Sequence, residues 1–246
     1  MARQGIVIIG ATSAIAEHCA RLWVEQPVDL VLVGRDAARL QAVAEDLRVR
    51  SPQSAIDVRQ VDFHEPSAIA ALAAGLAAQR QIDIVLVAHG NLPEQRACEQ
   101  DPGAARDALQ VNGVSPALFA EAFAGQLERQ QHGTLAVIGS VAGDRGRKSN
   151  YVYGAAKGLV ERYLQGLQHR FARSAVKVVL VKPGPTATPM TAHLPQRGLA
   201  PVDAVARRIV AGIAAGAPVV YAPSKWWLIM MVIRHLPRFV FNKLDI

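Results

Sequence analysis

Tyr153 and Lys157 stand four residues apart in YVYGAAK, at the start of a stretch with helical periodicity. Residues spaced i and i+4 on a helix share a face, so phenol and ammonium project together. A nearby ammonium stabilises a phenolate and lowers a pKa that is ordinarily about 10, which fits the pair for acid–base work. Ser140 lies before Tyr153 at the end of the aliphatic run AVIGS, where its hydroxyl could hydrogen-bond a carbonyl oxygen. Asn112, in LQVNGVSP, could hold a water that relays protons to Lys157. Together these groups suit proton transfer to or from a carbonyl oxygen. Tyr151 is a competing phenol, but four residues on it meets Ala155 and gains no lysine, so it reads as a packing or substrate-wall aromatic.

A Tyr-x-x-x-Lys pair occurs by chance in many helices, and its meaning comes from the elements that place it. Short aliphatic runs at 6–10, 29–34, 56–61, 82–88, 134–139, 176–182 and 218–222 alternate with longer Ala-rich stretches of helical period. Strands apolar on both faces, joined by helical crossovers, imply a parallel sheet covered on both sides. The expected fold is an α/β Rossmann-type doubly wound sheet of about seven strands with helices on both faces. No linker or repeat divides the 246 residues, so one domain, 1–246, is expected. Prolines 183, 185, 189 and 195 with Gly184 and Gly198 mark an irregular segment after the sixth strand, and 185–200 reads as a lid over the substrate.

The first strand runs into GATSAIA, Gly10 to Ala16. A glycine-rich turn opening a helix presents backbone N–H groups and the positive helix end to a pyrophosphate. Ala14 and Ala16 occupy places where that pattern usually has glycine, which requires both to keep φ negative. The second strand ends in Gly34 and Arg35, without the acidic residue that accepts from an adenosine ribose. A guanidinium there, with the Ser13 hydroxyl nearby, suits a 2′-phosphate and so NADPH over NADH. Asp62, after the third strand, could meet the adenine amino group.

With the order of strands, Asn112, Ser140, Tyr153 and Lys157 resemble the short-chain dehydrogenase/reductase family over almost the whole chain. AHG at 88–90 is similar to the family's turn after the fourth strand, with His89 in place of a small residue, and KPGPTAT at 182–188 to its Pro-Gly loop. The resemblance implies catalysis by Asn112, Ser140, Tyr153 and Lys157, with Lys157 also holding the nicotinamide ribose. It further implies cofactor contacts from Gly10, Thr12, Ser13 and Ile15 in the first turn and from Arg35, Asp62 and Phe63 at the adenosine end. Ala88, His89 and Gly90, then Pro183, Gly184, Thr186 and Thr188, would complete the cofactor contacts.

AGDRGRKSNYVYGAAKG at 142–158, TPMTAHLP at 188–195 and the tail MMVIRHLPRFVFNKL resemble a subgroup that reduces decaprenylphosphoryl 2-keto-erythropentose, a lipid-linked sugar made by a partner flavin oxidase. Arg145, Arg147 and Lys148 could hold a phosphate while its ketone reaches Ser140 and Tyr153, with His193 and Arg197 on the lid as further candidates. A solvated loop of ordinary surface charge is the bland reading of the same basic residues. Two other functions stay open: reduction of another amphipathic ketone such as a 3-oxoacyl thioester, and a non-catalytic, membrane-associated nucleotide-binding subunit.

The tail, 225–246, is hydrophobic and basic, with a helix expected from about Lys225 to His235 that is apolar nearly all round. It requires cover from protein core, a second subunit of a homo-oligomer or a lipid interface, and it is too short to span a bilayer. The excess of 27 Lys and Arg over 20 Asp and Glu could attract any polyanion. The absence of basic–aromatic interleaving argues against nucleic acid. Cys19 and Cys98 and the histidines 18, 64, 132 and 169 have no metal-ligand spacing, and no metal is expected. No secretory signal opens the chain, so the expected location is cytoplasmic, at the inner membrane face if the tail meets lipid.

Overall fold

In β1 (Gln4–Ile9), Ile6 and Ile8 face one side of a sheet and Val7 and Ile9 the other, and all four are buried. Such a strand needs cover on both faces, which a parallel strand receives from its crossover helices. The computed structural model, which describes residues 3–193 and 195–244, has this arrangement throughout. After β1 come α1 (Ala14–Trp23), β2 (Val28–Gly34), α2 (Ala37–Arg50), β3 (Ala55–Gln60), α3 (Pro66–Gln79) and β4 (Ile84–Val87). Then follow α4 (Gln95–Gln100), α5 (Pro102–Leu109), α6 (Ser115–Gln130), β5 (Gly133–Ile138), α7 (Tyr151–Arg170) and β6 (Val176–Pro183). The chain continues with α8 (Val202–Ala214), β7 (Val219–Ala222), α9 (Lys225–His235) and α10 (Arg238–Phe241).

The seven strands form one parallel sheet in the order β3-β2-β1-β4-β5-β6-β7, the doubly wound topology expected. Helices α1, α2 and α8 bury Ala16, Cys19, Leu40, Leu47, Val205 and Ile209 on one face. Helices α3, α6 and α7 bury Ile69, Phe119, Phe123, Leu127, Val160 and Leu164 on the other. The strand order reverses between β1 and β4, and the carboxyl ends of the two diverge there to open a crevice. Asp36, Glu65 and Asp101 each accept a backbone N–H in the first turn of α2, α3 and α5, which fixes where those helices begin.

Edges differ from the sequence reading in small ways. The fourth strand pairs only over Ile84–Val87 rather than the whole run 82–88. Asn112 sits in a π-helical turn, Gln110–Val114, inserted between α5 and α6, where the periodicity suggested plain helix. Segment 185–200 is pinned at its base by a bridge between Thr186 and Ala200 and carries one 3₁₀ turn, Pro189–Thr191. Leu194, in that segment, and the tail residues 245 and 246 lie outside the described residues.

Candidate active site

The carboxyl ends of β1, β2, β4, β5 and β6 surround a cleft of about 890 Å³. Its lining includes Gly10, Arg35, Asn112, Ser140, Tyr153, Lys157 and Gly184. One end is the first turn. Gly10 has φ +81°, and a Cβ there would lie 2.6 Å from His89 N, so both conformation and space demand glycine. The two alanines that replace glycine fall at and after the start of α1, where Ala16 is fully buried in helical conformation and needs no freedom of φ. The turn therefore keeps its shape without them. Gly10, Thr12, Ser13 and Ile15 all line the cleft at the N-terminus of α1. Arg35, just before the N-cap Asp36, lines it too, as does Arg39 in the first turn of α2.

The opposite end is built by α7. A Cβ on Gly154 would stand 2.9 Å from Ala142 O, so the absence of a side chain lets α7 press against the 3₁₀ turn Val141–Gly143 that follows Ser140. That contact sets Ser140 beside the half-buried Tyr153. Burial raises the phenol's pKa above its ordinary value, and the Ser140 hydroxyl pulls it partly back. Lys157, expected to favour the phenolate, is 3% exposed, donates to Ile138 O at 3.0 Å and lies 5.7 Å from the Tyr153 ring centroid. Burial pushes the lysine's own pKa down to about 8.

Asn112 is fully buried and its side chain is committed within the protein. Nδ2 donates to Ala108 O at 3.0 Å and Asn91 Oδ1 at 2.6 Å, and Oδ1 accepts from Asn91 N at 2.9 Å. The amide therefore fixes the turn after β4. His89 is held just as firmly. Ser115 Oγ donates to Phe63 O at 2.8 Å, so His89 Nε2–H donates to Ser115 Oγ at 2.9 Å. Its ring packs on Phe63 and Phe119, centroids 4.6 and 5.5 Å away, and burial foremost, then Lys157, lowers its pKa to about 3. This histidine is a neutral filler of the space that a small residue would leave.

Several expected contacts lie elsewhere. Arg145, expected on a substrate phosphate, does not line the cleft, because Nη1 donates to Ile233 O and Leu236 O, each at 2.6 Å, and the guanidinium stacks 3.8 Å from the Phe241 ring centroid. Lys148 and Arg197 are also outside the lining. Asp62 is exposed and accepts from His64 N at 2.8 Å, so it caps its own loop rather than facing the cleft. Phe63, Ala88, His89 and Gly90 line the cleft, as do Pro183, Gly184, Thr186, Thr188, Arg147 and His193. Residues not foreseen include Arg39, Asn91, Asn150 and Met190. Asn150 reads as an ordinary N-cap, yet its side chain makes no cap bond and its Oδ1 is buried without a partner. Among the described residues no three His, Cys, Asp or Glu side chains could hold a metal ion.

The model of the short chain dehydrogenase family matches residues 4–198. The chain belongs to that family and is an oxidoreductase. An uncharacterized oxidoreductase encoded in the mprA 5′ region of Streptomyces coelicolor is 30% identical over 244 residues, 98% of this chain and 96% of the relative. An uncharacterized oxidoreductase of Mycobacterium tuberculosis strain H37Rv is 29% identical over 97% and 96% of the two chains. Among solved structures, a short-chain dehydrogenase from Burkholderia cenocepacia in complex with NADP superposes with a TM-score of 0.83 at 20% identity over 100% of both chains. One from Sphingobium yanoikuyae in complex with NADPH gives 0.80 at 25% identity over 98% and 96%. A bulky-bulky ketone specific alcohol dehydrogenase from Comamonas testosteroni gives 0.81 at 23% identity over 99% and 96%.

Proposed function

We propose that this oxidoreductase reduces a ketone on an anionic, amphipathic substrate with NADPH. The cleft fits the cofactor: the N-terminus of α1, lined by Ser13, Ala14 and Ile15, suits a pyrophosphate, and the guanidinium groups of Arg35 and Arg39 suit an adenosine 2′-phosphate. Bound there, NADPH supplies a hydride to the carbonyl carbon. Ser140 donates a hydrogen bond to the carbonyl oxygen, and Tyr153 donates its proton to that oxygen as the alkoxide forms. Burial suits Tyr153 to this direction, because it keeps the phenol protonated until the proton is needed. Lys157 holds a positive charge behind the phenol and stabilises the phenolate left afterwards. A scaffold without catalysis has no chemical reason to bury an unmatched ammonium there.

Arg147 carries the choice of substrate. Its guanidinium lines the cleft, has no partner among the described residues, and has its pKa lowered by burial. A half-buried, unpaired cation beside the reacting groups is a site for an anion. The unpartnered Asn150 Oδ1 beside it suits a sugar hydroxyl. A 2-keto pentose carried on a polyprenyl phosphate meets both groups and places its lipid toward the exposed Met190, with a flavin oxidase as the reaction partner that supplies the ketone. A 3-oxoacyl thioester meets Arg147 through its own phosphates and leaves Asn150 unused. The deciding experiment compares a short-prenyl phosphoryl 2-keto pentose with an uncharged ketone in wild type and Arg147→Ala. KM for the phosphate rises about tenfold or more, with the uncharged ketone unaffected. Equal loss for both ketones, or turnover of acetoacetyl thioesters alone, overturns this substrate.

A further inference from the structure

Of fourteen large hydrophobic side chains exposed among the described residues, seven crowd into 227–244, whereas the rest are scattered over the surface. Scattered exposure needs no explanation, but a contiguous patch marks a contact surface. The patch has a built geometry. On α9, Trp226, Met230 and Ile233 share the inner face. Met230 is buried, and Trp226 lies so close to Gly184 that a Cβ there would overlap its indole. The outer face presents Trp227, Leu228, Met231 and Val232, at 41–57% exposure, and Phe239 of α10 is 71% exposed. Arg145 clamps the C-terminal carbonyls of α9, and Arg234 reaches to 4.0 Å from Asp144, so the inner face is fixed to the body while the outer one stays bare.

Every charge on this segment has one sign. Lys225, Arg238 and Lys243, with His235, flank the apolar face, Arg234 turns to Asp144, and no Asp or Glu occurs from 223 to 244. We infer that the outer face of α9 and α10 docks on an anionic lipid surface. An eleven-residue helix cannot cross a bilayer, and no helix among the described residues is long and apolar enough to do so. It can lie in the interface with Trp227 and Phe239 at the boundary of headgroups and acyl chains and its cations at the headgroups. A second copy of the chain is the less suitable occupant, because a twofold interface sets this patch against itself and opposes cation to cation. The cleft wall at Gly184 backs directly on α9, so docking would hold the mouth of the site at the lipid surface. The inference stands independently of the ketone that the site reduces.

The test is co-sedimentation of the full chain with vesicles of phosphatidylcholine, with or without phosphatidylglycerol, at low salt. The expected result is binding only when phosphatidylglycerol is present, with a blue shift of tryptophan emission. Lys225→Glu with Arg238→Glu and Lys243→Glu weakens binding at least about tenfold. Trp227→Ser with Phe239→Ser removes the blue shift, and Arg173→Glu with Arg208→Glu, exposed cations away from the tail, leaves it in place. Both tail variants spare the inner face of α9, and their thermal transitions check folding. Absence of binding to anionic vesicles, or equal weakening by the control reversal, overturns the inference. So does a dimeric mass in solution that becomes monomeric in Trp227→Ser with Phe239→Ser while vesicles are ignored; that outcome assigns the face to a second copy.

Discussion

Lys157 is the residue whose chemistry and whose folding pull hardest against each other. Its amine is 3% exposed, has one carbonyl partner, and titrates at about 8 in the fold against 10.5 in the unfolded chain. Between those values the unfolded state holds more protons, so stability rises with pH through that window. Below pH 8 the full cost, on the order of 3 kcal/mol, is present. Lys157→Met removes it while leaving an apolar chain of similar length. The apo variant is expected to melt at or above the wild-type temperature at pH 7, with the gap closing from pH 8 to 10.5 and ketone reduction lost. A variant that melts several degrees lower at pH 7 would show that the ammonium holds the site together. Spacing together with the expected strand order singled out Tyr153, Lys157 and Ser140, because one helix and one strand end carry all three. Arg145 was not legible, because its partners Ile233 and Leu236 lie 88 and 91 residues away. Arg39 carried no such signal, because Arg35 precedes the N-cap Asp36 and the two share no helix.

At the scale of elements, the segment between Ser140 and Tyr153 is tied to β6 and the tail by one buried group of charges. Lys182, 1% exposed at the end of β6, pairs with Asp144 and with Glu161 Oε2 at 2.8 Å, and Tyr221 OH donates to Asp144 at 3.5 Å. The group joins α7, β6, β7 and α9 behind the catalytic residues. Removing the shared cation strands two carboxylates, so Lys182→Met is expected to cost about 3 kcal/mol or more in urea unfolding. Loss of less than about 1 kcal/mol would mean that water or Arg234 replaces the ammonium. The strands were readable because both their faces are apolar, and α9 was readable to its ends. The π-helical turn at Asn112 was not, since one inserted residue leaves the apolar period almost intact. Lys182 had no assigned partner in the sequence, and only the fold shows it sealed between two carboxylates.

For the whole molecule, the formal net charge of +7 was visible in the composition, and so was its division among Arg35, the basic loop and the tail; that Arg39 joins the cleft lining and Arg145 leaves it was not. Arg35 and Arg39 stand at one end of the cleft, Arg147 stands near the reacting groups, and the tail cations border the exposed face of α9. A single parallel sheet makes this possible, because all the strand ends that line the cleft point the same way. The most direct measurement is NADPH oxidation by the purified protein offered a short-prenyl phosphoryl 2-keto pentose, with NADH and Tyr153→Phe as comparisons. Turnover with NADPH in preference to NADH is expected, falling about a hundredfold or more in Tyr153→Phe while NADPH still binds. Undiminished turnover in that variant, or NADPH binding with no oxidation by any ketone, would contradict reduction through Tyr153.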